Sequence, residues 1–189
     1  MILKLLPEHL QTICTHAETT YPEECCGIIL GYLASEGKTV VKVMPTENAW
    51  SAETAADFPR DDTLDYSKRQ RYAIVRFLPR RFFQKRLPRS EGTGQLHGVQ
   101  LGKRTRFAIA PQVMLQAQKE ARDCKLNIIG IYHSHTDHPA IPSECDRQLA
   151  WQEYSYIIVS VQKGKASDIK SWLLDDNHQF QQEAIEKLG

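Results

Sequence analysis

Gly130-Ile131-Tyr132-His133-Ser134-His135, followed by Ser143 and Asp146, is the stretch that decides how this 189-residue chain is interpreted. The apolar residues around it predict a β-strand, and residues two apart in a strand point to the same face, so both imidazoles leave on one side. If Ser143 opens a helix, Ser143 and Asp146 share a face one turn apart. Two histidine nitrogens and one aspartate oxygen leave a fourth tetrahedral position open, which is typical of a catalytic zinc site.

Each half of this pattern also has a simpler interpretation. Ser143 and Asp146 fit a helix capping box that follows Pro142. An isolated His-x-His in a strand is often a pair of half-exposed side chains. The two halves are adjacent, however, because the strand that ends in two histidines runs directly into a turn and a capped carboxylate. This combination favours a metal site.

The composition is that of an ordinary globular protein. The chain is long enough for one domain with a real core, and it is 41% hydrophobic and 25% charged, with a formal net charge of +1. No apolar run approaches the roughly 20 residues that span a bilayer, and the N-terminus does not resemble a signal peptide. The five cysteines are scattered, which favours a reducing compartment. We therefore expect a cytoplasmic protein without a membrane partner.

Hydrophobic periodicity and turn residues predict alternating strands and helices. Residues 167–174 and 178–185 are predicted as strands, or as one strand and a frayed tail, and residues 48–58 are predicted to be irregular. The other predicted strands cover residues 2–6, 25–33, 39–44, 106–109, 126–134 and 156–161, and the predicted helices cover residues 7–19, 111–124 and 143–151. This order predicts a mixed sheet flanked by helices.

Residues 60–104 differ in charge from the rest of the chain. They contain 12 lysines and arginines against 4 acidic residues, a net charge of +8, whereas the remaining residues carry −7. One interpretation is a variable surface insertion with a short helix near residues 64–75. The other is a basic, aromatic-rich flap that grips an acidic or extended partner. Its phenylalanines could stack on nucleic-acid bases or equally pack onto the domain, and a nucleic-acid partner is not expected.

A metal-activated water needs a group that takes its proton, and a positioned carboxylate can do so. The candidates are Glu23 and Glu24, which stand just before the predicted strand at 25–33. A carboxylate there can face a neighbouring strand that carries the histidines. The residues alone do not distinguish the two glutamates from each other, or either one from an ordinary surface residue.

Two motifs give the chain a resemblance to the JAMM (MPN+) zinc metalloprotease family. Glu24-Cys25-Cys26-Gly27 matches its E-x-C-G element, and His133-Ser134-His135-x7-Ser143-x-x-Asp146 matches its metal signature. Tyr-x-Ile-Val-Ser at 156–160 resembles the compact prokaryotic branch, and the resemblance covers roughly residues 1–50 and 105–175. It implies an α/β fold of the JAMM/MPN (cytidine-deaminase-like) type, a mixed β-sheet flanked by helices. It also implies a single domain over residues 1–189 with a basic insertion at about 54–104.

The resemblance implies a role for each matching residue. His133, His135 and Asp146 bind Zn²⁺, Glu24 acts as general base and then general acid, and Ser143 stabilises the tetrahedral oxyanion by hydrogen bonding.

Four further residues stand beside the motif. Ser134 is expected to support the ligands or to pack, because it points away from them. Thr136 replaces the proline that usually follows the second histidine in the family, which leaves the stiffness of the next loop open. Asp137 and His138 are spare polar residues near the site.

The implied activity is hydrolysis of the amide bond after the C-terminal glycine of a ubiquitin-like or sulfur-carrier protein, through zinc-bound water assisted by Glu24. A Gly-Gly tail could dock as an added strand, with residues 49–58 and the basic insertion as candidate docking elements. Two alternatives remain: a zinc hydrolase of a small amide or amino acid conjugate, and a non-catalytic MPN scaffold. A TIM-barrel amidohydrolase also carries His-x-His, but that fold needs about 250 residues.

Overall fold

Seven strands and three helices make up the part of the chain that the computed structural model describes, residues 1–51 and 102–189. The strands are β1 (Ile2–Leu5), β2 (Cys26–Ala34), β3 (Gly37–Thr46), β4 (Asn127–Thr136), β5 (Ser155–Gln162), β6 (Lys165–Leu174) and β7 (Phe180–Lys187). The helices are α1 (Pro7–Thr20), α2 (Pro111–Asp123) and α3 (Glu144–Leu149).

The strands form one mixed sheet in the order β1-β3-β2-β4-β5-β6-β7, which closes into a barrel through the parallel pair β1–β7. The pairs β1–β3 and β4–β5 are also parallel, and the remaining neighbours are antiparallel. This arrangement confirms the predicted mixed sheet flanked by helices. The closure of the sheet is an additional finding.

The central strand β2 is covered on both faces. Ile29 packs in the cluster that contains Ile13 of α1, whereas Ile28 packs in the cluster that contains Met114 of α2. Neighbouring residues of a strand point to opposite faces, so a strand between two helices needs apolar residues at consecutive positions. The run Gly27-Ile28-Ile29-Leu30 meets this need, and it holds β2 and its neighbour β4 in the middle of the molecule.

The prediction of a strand over residues 106–109 is wrong. This segment belongs to no strand or ladder. Its backbone bonds with Asn48 and Ala49 instead: Asn48 Nδ2 donates to the carbonyl of Arg106 at 2.9 Å, and the amide of Ala49 donates to the carbonyl of Ala108 at 2.9 Å. The segment is therefore held by a buried side-chain amide where a partner strand was expected.

The other predicted elements in the described residues are confirmed apart from their ends. The predicted helix at 143–151 is shorter, since α3 ends at Leu149, and the last two predicted strands both form as β6 and β7. The predicted helix at 64–75 and most of the basic insertion lie outside the described residues. Within the described ranges, we find no helix of the length and apolar character that crossing a bilayer requires.

Candidate metal centre

The two histidines lie at the end of β4, between two neighbouring strands. β4 pairs with β2 so that His133 stands opposite Cys26, and with β5 so that His135 stands beside Ser160. Both histidine side chains are buried, and they share one face of β4, as their spacing predicts. The pairing on both sides fixes the backbone that carries the imidazoles.

Asp146 reaches both histidines from the first turn of α3. The Nε2 atoms of His133 and His135 lie 3.1 Å apart. Asp146 Oδ1 lies 3.4 Å from His133 Nε2, and Asp146 Oδ2 lies 3.5 Å from His135 Nε2. Bonds of about 2.0–2.2 Å at tetrahedral angles separate two zinc ligands by about 3.4 Å. The three donors are therefore spaced as zinc would need them.

Hydrogen bonding and packing orient the two imidazoles differently. His135 Nδ1 donates to the carbonyl of Pro139 at 2.9 Å, so its Nε2 keeps a lone pair directed at the other donors. The ring of His133 stacks on Phe107, with centroids 4.5 Å apart and planes inclined by 21°. His133 Nδ1 is buried and has no hydrogen-bond partner among the described residues, so at this nitrogen packing takes the place that a hydrogen bond has in His135.

Ser143 and Asp146 form the capping box of α3, and Asp146 is also the third donor of the cluster. The amide and the hydroxyl of Ser143 donate to Asp146 Oδ2 at 2.7 and 2.6 Å, and the amide of Asp146 donates to Ser143 Oγ at 3.2 Å. The two interpretations of Ser-x-x-Asp are therefore compatible. The capping box fixes the carboxylate in the position from which it meets the histidines.

Electrostatics favour the ligand form of two of the three donors, His133 and Asp146. Burial alone would lower the pKa of His135, but the hydrogen bond and the charge of Asp146 raise it above its usual value. Burial lowers the pKa of His133 to about 4. Burial alone would raise the pKa of Asp146, but the neighbouring imidazoles and the Ser143 hydrogen bond hold that pKa well below its usual range. At neutral pH the site therefore offers a neutral His133 and an ionised Asp146, as coordination requires.

The structure distinguishes Glu24 from Glu23. Glu24 is 7% exposed, whereas Glu23 is exposed. The β2–β4 pairing continues past Cys26, because the amide of Ser134 donates to the carbonyl of Cys25 at 3.2 Å and Ser134 Oγ accepts from the amide of Cys25 at 2.8 Å. Glu24 therefore comes next to His135. Burial raises the pKa of Glu24 to about 8.

Gly27 of the E-x-C-G element permits a close approach between β2 and a side chain of β4. A Cβ atom at position 27 would lie 2.2 Å from the ring of Tyr132 and 2.6 Å from the carbonyl of Met44. Tyr132 is fully buried, and its hydroxyl lies 2.8 Å from His16 Nδ1 on α1. Only glycine at position 27 of β2 leaves room for the ring of Tyr132, the residue just before His133 on β4.

A cavity of about 410 Å³ opens beside the three donors. Its wall includes Glu24, His135, Ser143 and Asp146, and so brings the two predicted catalytic residues together with two of the three predicted ligands. His133 lies behind them, against Phe107. These contacts establish proximity, and the catalytic and ligand roles themselves stay predictions.

The two spare polar residues have different positions. His138 lines the cavity. Asp137 bonds elsewhere: its Oδ1 accepts from the amide of Lys163 at 2.9 Å, and its Oδ2 accepts from the Tyr21 hydroxyl at 3.0 Å. Asp137 is thus engaged in loop contacts beside the donor cluster.

Comparison with known proteins identifies the family. The family model described as prokaryotic homologs of the JAB domain matches residues 6–175. The chain belongs to this family. The match confirms the resemblance that the two motifs implied.

Individual relatives of this JAB-family chain agree with that result. It is 32% identical over 80 residues to the desampylase of Pyrococcus furiosus, a match that covers 42% of the chain and 54% of the relative, so the chain spans about half the length of that relative. Solution structures of proteins from Desulfitobacterium hafniense and Salinibacter ruber share its fold. The first has a TM-score of 0.62 at 22% identity over 98% of this chain and 94% of the other, and the second has 0.57 at 25% over 98% and 91%.

Sequence reasoning missed the contacts of this JAB chain that hold the segment 103–108 over the site. Lys103 accepts a hydrogen bond from the amide of Glu24 at 2.7 Å through its carbonyl, and the Thr136 hydroxyl donates to the carbonyl of Arg104 at 2.8 Å. Asn48 Nδ2 donates to the carbonyls of Glu24 and Arg106, both at 2.9 Å. No local sequence pattern predicts these contacts, because each of them joins residues far apart in sequence.

Proposed function

We propose that this chain is a zinc-dependent metallopeptidase or isopeptidase. Its substrate would be the amide bond after the C-terminal glycine of a ubiquitin-like or sulfur-carrier protein adduct. The observation that carries the proposal is the placement of a buried carboxylate, Glu24, on the same cavity as donors at zinc-ligand spacing. Membership of the JAB family and the partial similarity to a desampylase support the hydrolase class and a ubiquitin-like partner.

His133, His135 and Asp146 would hold the zinc ion. Bound there, zinc supplies a Lewis acid that polarises a carbonyl and lowers the pKa of water to near 7. Glu24 then takes the proton of the attacking water and later delivers it to the nitrogen of the leaving amine. Its position beside His135, on the wall of the cavity, lets one carboxyl group serve both steps.

The environment of Glu24 suits this double task. A group that accepts and then donates a proton works best when its pKa lies near the working pH. In the zinc-free protein, burial raises the pKa of Glu24 to about 8, far above the usual value of about 4.3. Glu23 is exposed and does not share this buried environment.

Ser143 is the proposed oxyanion donor, and its contacts set a condition on that role. Its hydroxyl proton is directed at Asp146 Oδ2 at 2.6 Å. Because a serine hydroxyl has a single proton, Ser143 must turn away from Asp146 to donate to a developing oxyanion. The contacts therefore support a second role for Ser143, the orientation of Asp146.

The contacts of Ala49 and Trp50 limit where a glycine tail could dock. The amide of Ala49 already donates to the carbonyl of Ala108 at 2.9 Å, and the amide of Trp50 donates to Asn48 Oδ1 at 3.0 Å. These two amides are not free to form a ladder with a tail. A tail that docks here must use other backbone groups, and residues 52–58 lie outside the described ranges.

The broader setting belongs to the same proposal. We infer a single catalytic domain over residues 1–189 with an insertion at about 54–104, working in the cytoplasm. The five cysteines, all within the described ranges, form no disulfide with one another, as a reducing compartment favours. Burial raises the pKa values of Cys25 and Cys26 to about 12 and 11, so neither is a ready thiolate ligand.

The experiment uses a ubiquitin-like protein that ends in Gly-Gly, joined to a peptide through its C-terminal amide. Chelated protein should be inactive, and added zinc should restore cleavage after the last glycine. Glu24→Gln should abolish cleavage but retain zinc, whereas Glu23→Gln, an exposed neighbour, should cleave normally. Cleavage by Glu24→Gln would remove the base assignment. Absence of cleavage by the zinc-loaded wild type on every adduct would favour the scaffold alternative.

A further inference from the structure

The cavity beside Glu24 has an apolar wall, and part of that wall is exposed. Its apolar lining comes from separate parts of the chain, and includes Phe107, Ile131, Ile141, Leu149 and Tyr156. Ile141 is 54% exposed although it is a large aliphatic residue. Exposed apolar surface that lines a concave site beside convergent polar groups is typical of a ligand subsite.

The helix α3 contributes to this wall without being buried itself. Among its residues none is fully buried, and Leu149 at its end is half-buried and lines the cavity. The apolar side chain of Leu149 is therefore available to a ligand. Burial of such surface is favourable by about 25 cal/mol for each Å² removed from water, so an apolar group gains affinity here.

A glycine tail cannot supply the apolar group, since glycine has no side chain. Glu24 lines the same cavity and must reach the leaving nitrogen under the proposed function. The part of the substrate attached to that nitrogen is therefore the part that enters. We propose that this cavity is a subsite for a bulky apolar side chain on the amine side of the scissile bond. The inference rests on the proposed function.

The charges around the cavity make it selective. Its charged lining residues are Glu24 and Asp146 on the donor side, and Arg104 and Arg106 on the segment 103–108. The side chains of Ile141 and Leu149 carry no hydrogen-bonding group of their own. A charged side chain packed against these two residues would lose hydration that they cannot replace, so aspartate and lysine are disfavoured more strongly than serine.

The test is a series of adducts that differ in one residue. The same Gly-Gly-ended protein is joined to the α-amine of leucine, phenylalanine, serine, aspartate or lysine amide, and kcat/KM is measured with zinc. The leucine and phenylalanine adducts should be cleaved at least about tenfold more efficiently than the others, because pocket contacts of a few methylene groups give discrimination of this size. Equal kcat/KM across a series that is cleaved would overturn the subsite while the proposed function stands.

A matched pair of variants locates the subsite. Ile141→Asp should remove the preference for leucine, whereas Leu115→Asp should keep it. Leu115 lies on α2, does not line the cavity, and is also 54% exposed, so both substitutions place a charge on an equally exposed leucine or isoleucine. Retention of the leucine preference by Ile141→Asp would overturn the assignment.

A binding measurement separates this inference from catalysis. Leucinamide should shift the methyl NMR signals of Ile141 and Leu149 in zinc-free protein, serinamide should not, and Ile141→Asp should abolish the shifts. If no adduct is cleaved but leucinamide binds in this way, the proposed function fails and the apolar subsite stands. If leucinamide leaves the Ile141 and Leu149 signals unchanged, the subsite is overturned.

Discussion

Glu24 and His135 lie side by side at the ends of two antiparallel strands, two residues beyond the paired residues Cys26 and His133. The hydrogen bonds between Cys25 and Ser134 continue the pairing toward them. Because side chains alternate along a strand, a slip of one residue would send Glu24 or the histidines to the opposite face. The relative position of proposed base and ligand is thus a property of strand register.

The hydroxyl of Ser143 is expected to support the metal site through Asp146. Ser143→Ala removes the 2.6 Å hydrogen bond to Asp146 Oδ2 and should weaken zinc affinity by about 10–100-fold, as loss of a ligand-orienting partner does. Zinc affinity is measured by competition with a chromophoric chelator, with Ser35→Ala on the exposed β2–β3 turn as control. A fall in kcat at unchanged zinc affinity would instead leave Ser143 with the oxyanion role alone.

Thr136 is expected to fasten the segment that carries Phe107. Thr136→Val leaves the carbonyl of Arg104 without its 2.8 Å partner and should lower the free energy of unfolding by about 1 kcal/mol. Thr136→Ser keeps the hydroxyl and should restore most of the loss. Chemical denaturation of the zinc-free proteins measures both changes, and equal stability of the valine and threonine forms would show that the bond contributes nothing.

The raised pKa of Glu24 predicts how pH affects the zinc-free protein. The folded carboxyl holds its proton up to about pH 8, whereas the unfolded one releases it near pH 4.3. The folded state therefore binds more protons in this window, and the contribution of Glu24 to stability, complete below pH 4.3, falls as pH rises toward 8.

Denaturation of wild type and Glu24→Gln at pH 5 and pH 8.5 tests this. The free energy of unfolding of the variant minus that of wild type should be larger at pH 8.5 than at pH 5, by on the order of a few kcal/mol. Parallel behaviour of the two proteins would mean that Glu24 is not desolvated as its burial implies.

The parts of the site that follow from local periodicity could be predicted from the sequence. His-x-His on a strand and Ser-x-x-Asp at a helix start each depend on spacings of two or three residues, and both form as expected. Glu24 is different. Both Glu23 and Glu24 precede the same buried strand, and they differ only in their burial in the folded chain. The residues alone therefore left both as candidates for the base, and the family resemblance supplied the choice.

Contacts between distant parts of the chain could not be predicted. The parallel pairing of β1 with β7 joins the two ends of the chain, and no pattern within either strand indicates it. The segment 106–109 has the residues of a strand, but the buried amide of Asn48 satisfies its backbone instead. The stacking of Phe107 on His133 follows from that arrangement.

The central claim is that three side chains converge to hold one zinc ion, and the most direct measurement is the zinc content of Asp146→Asn beside that of wild type. Asp137→Asn is the matched control, since Asp137 stands near the site but bonds to Lys163 and Tyr21. After equilibration with zinc and desalting, wild type and Asp137→Asn should each retain one zinc per chain, and Asp146→Asn should retain little. Full retention by Asp146→Asn, or no zinc in wild type, would contradict the account.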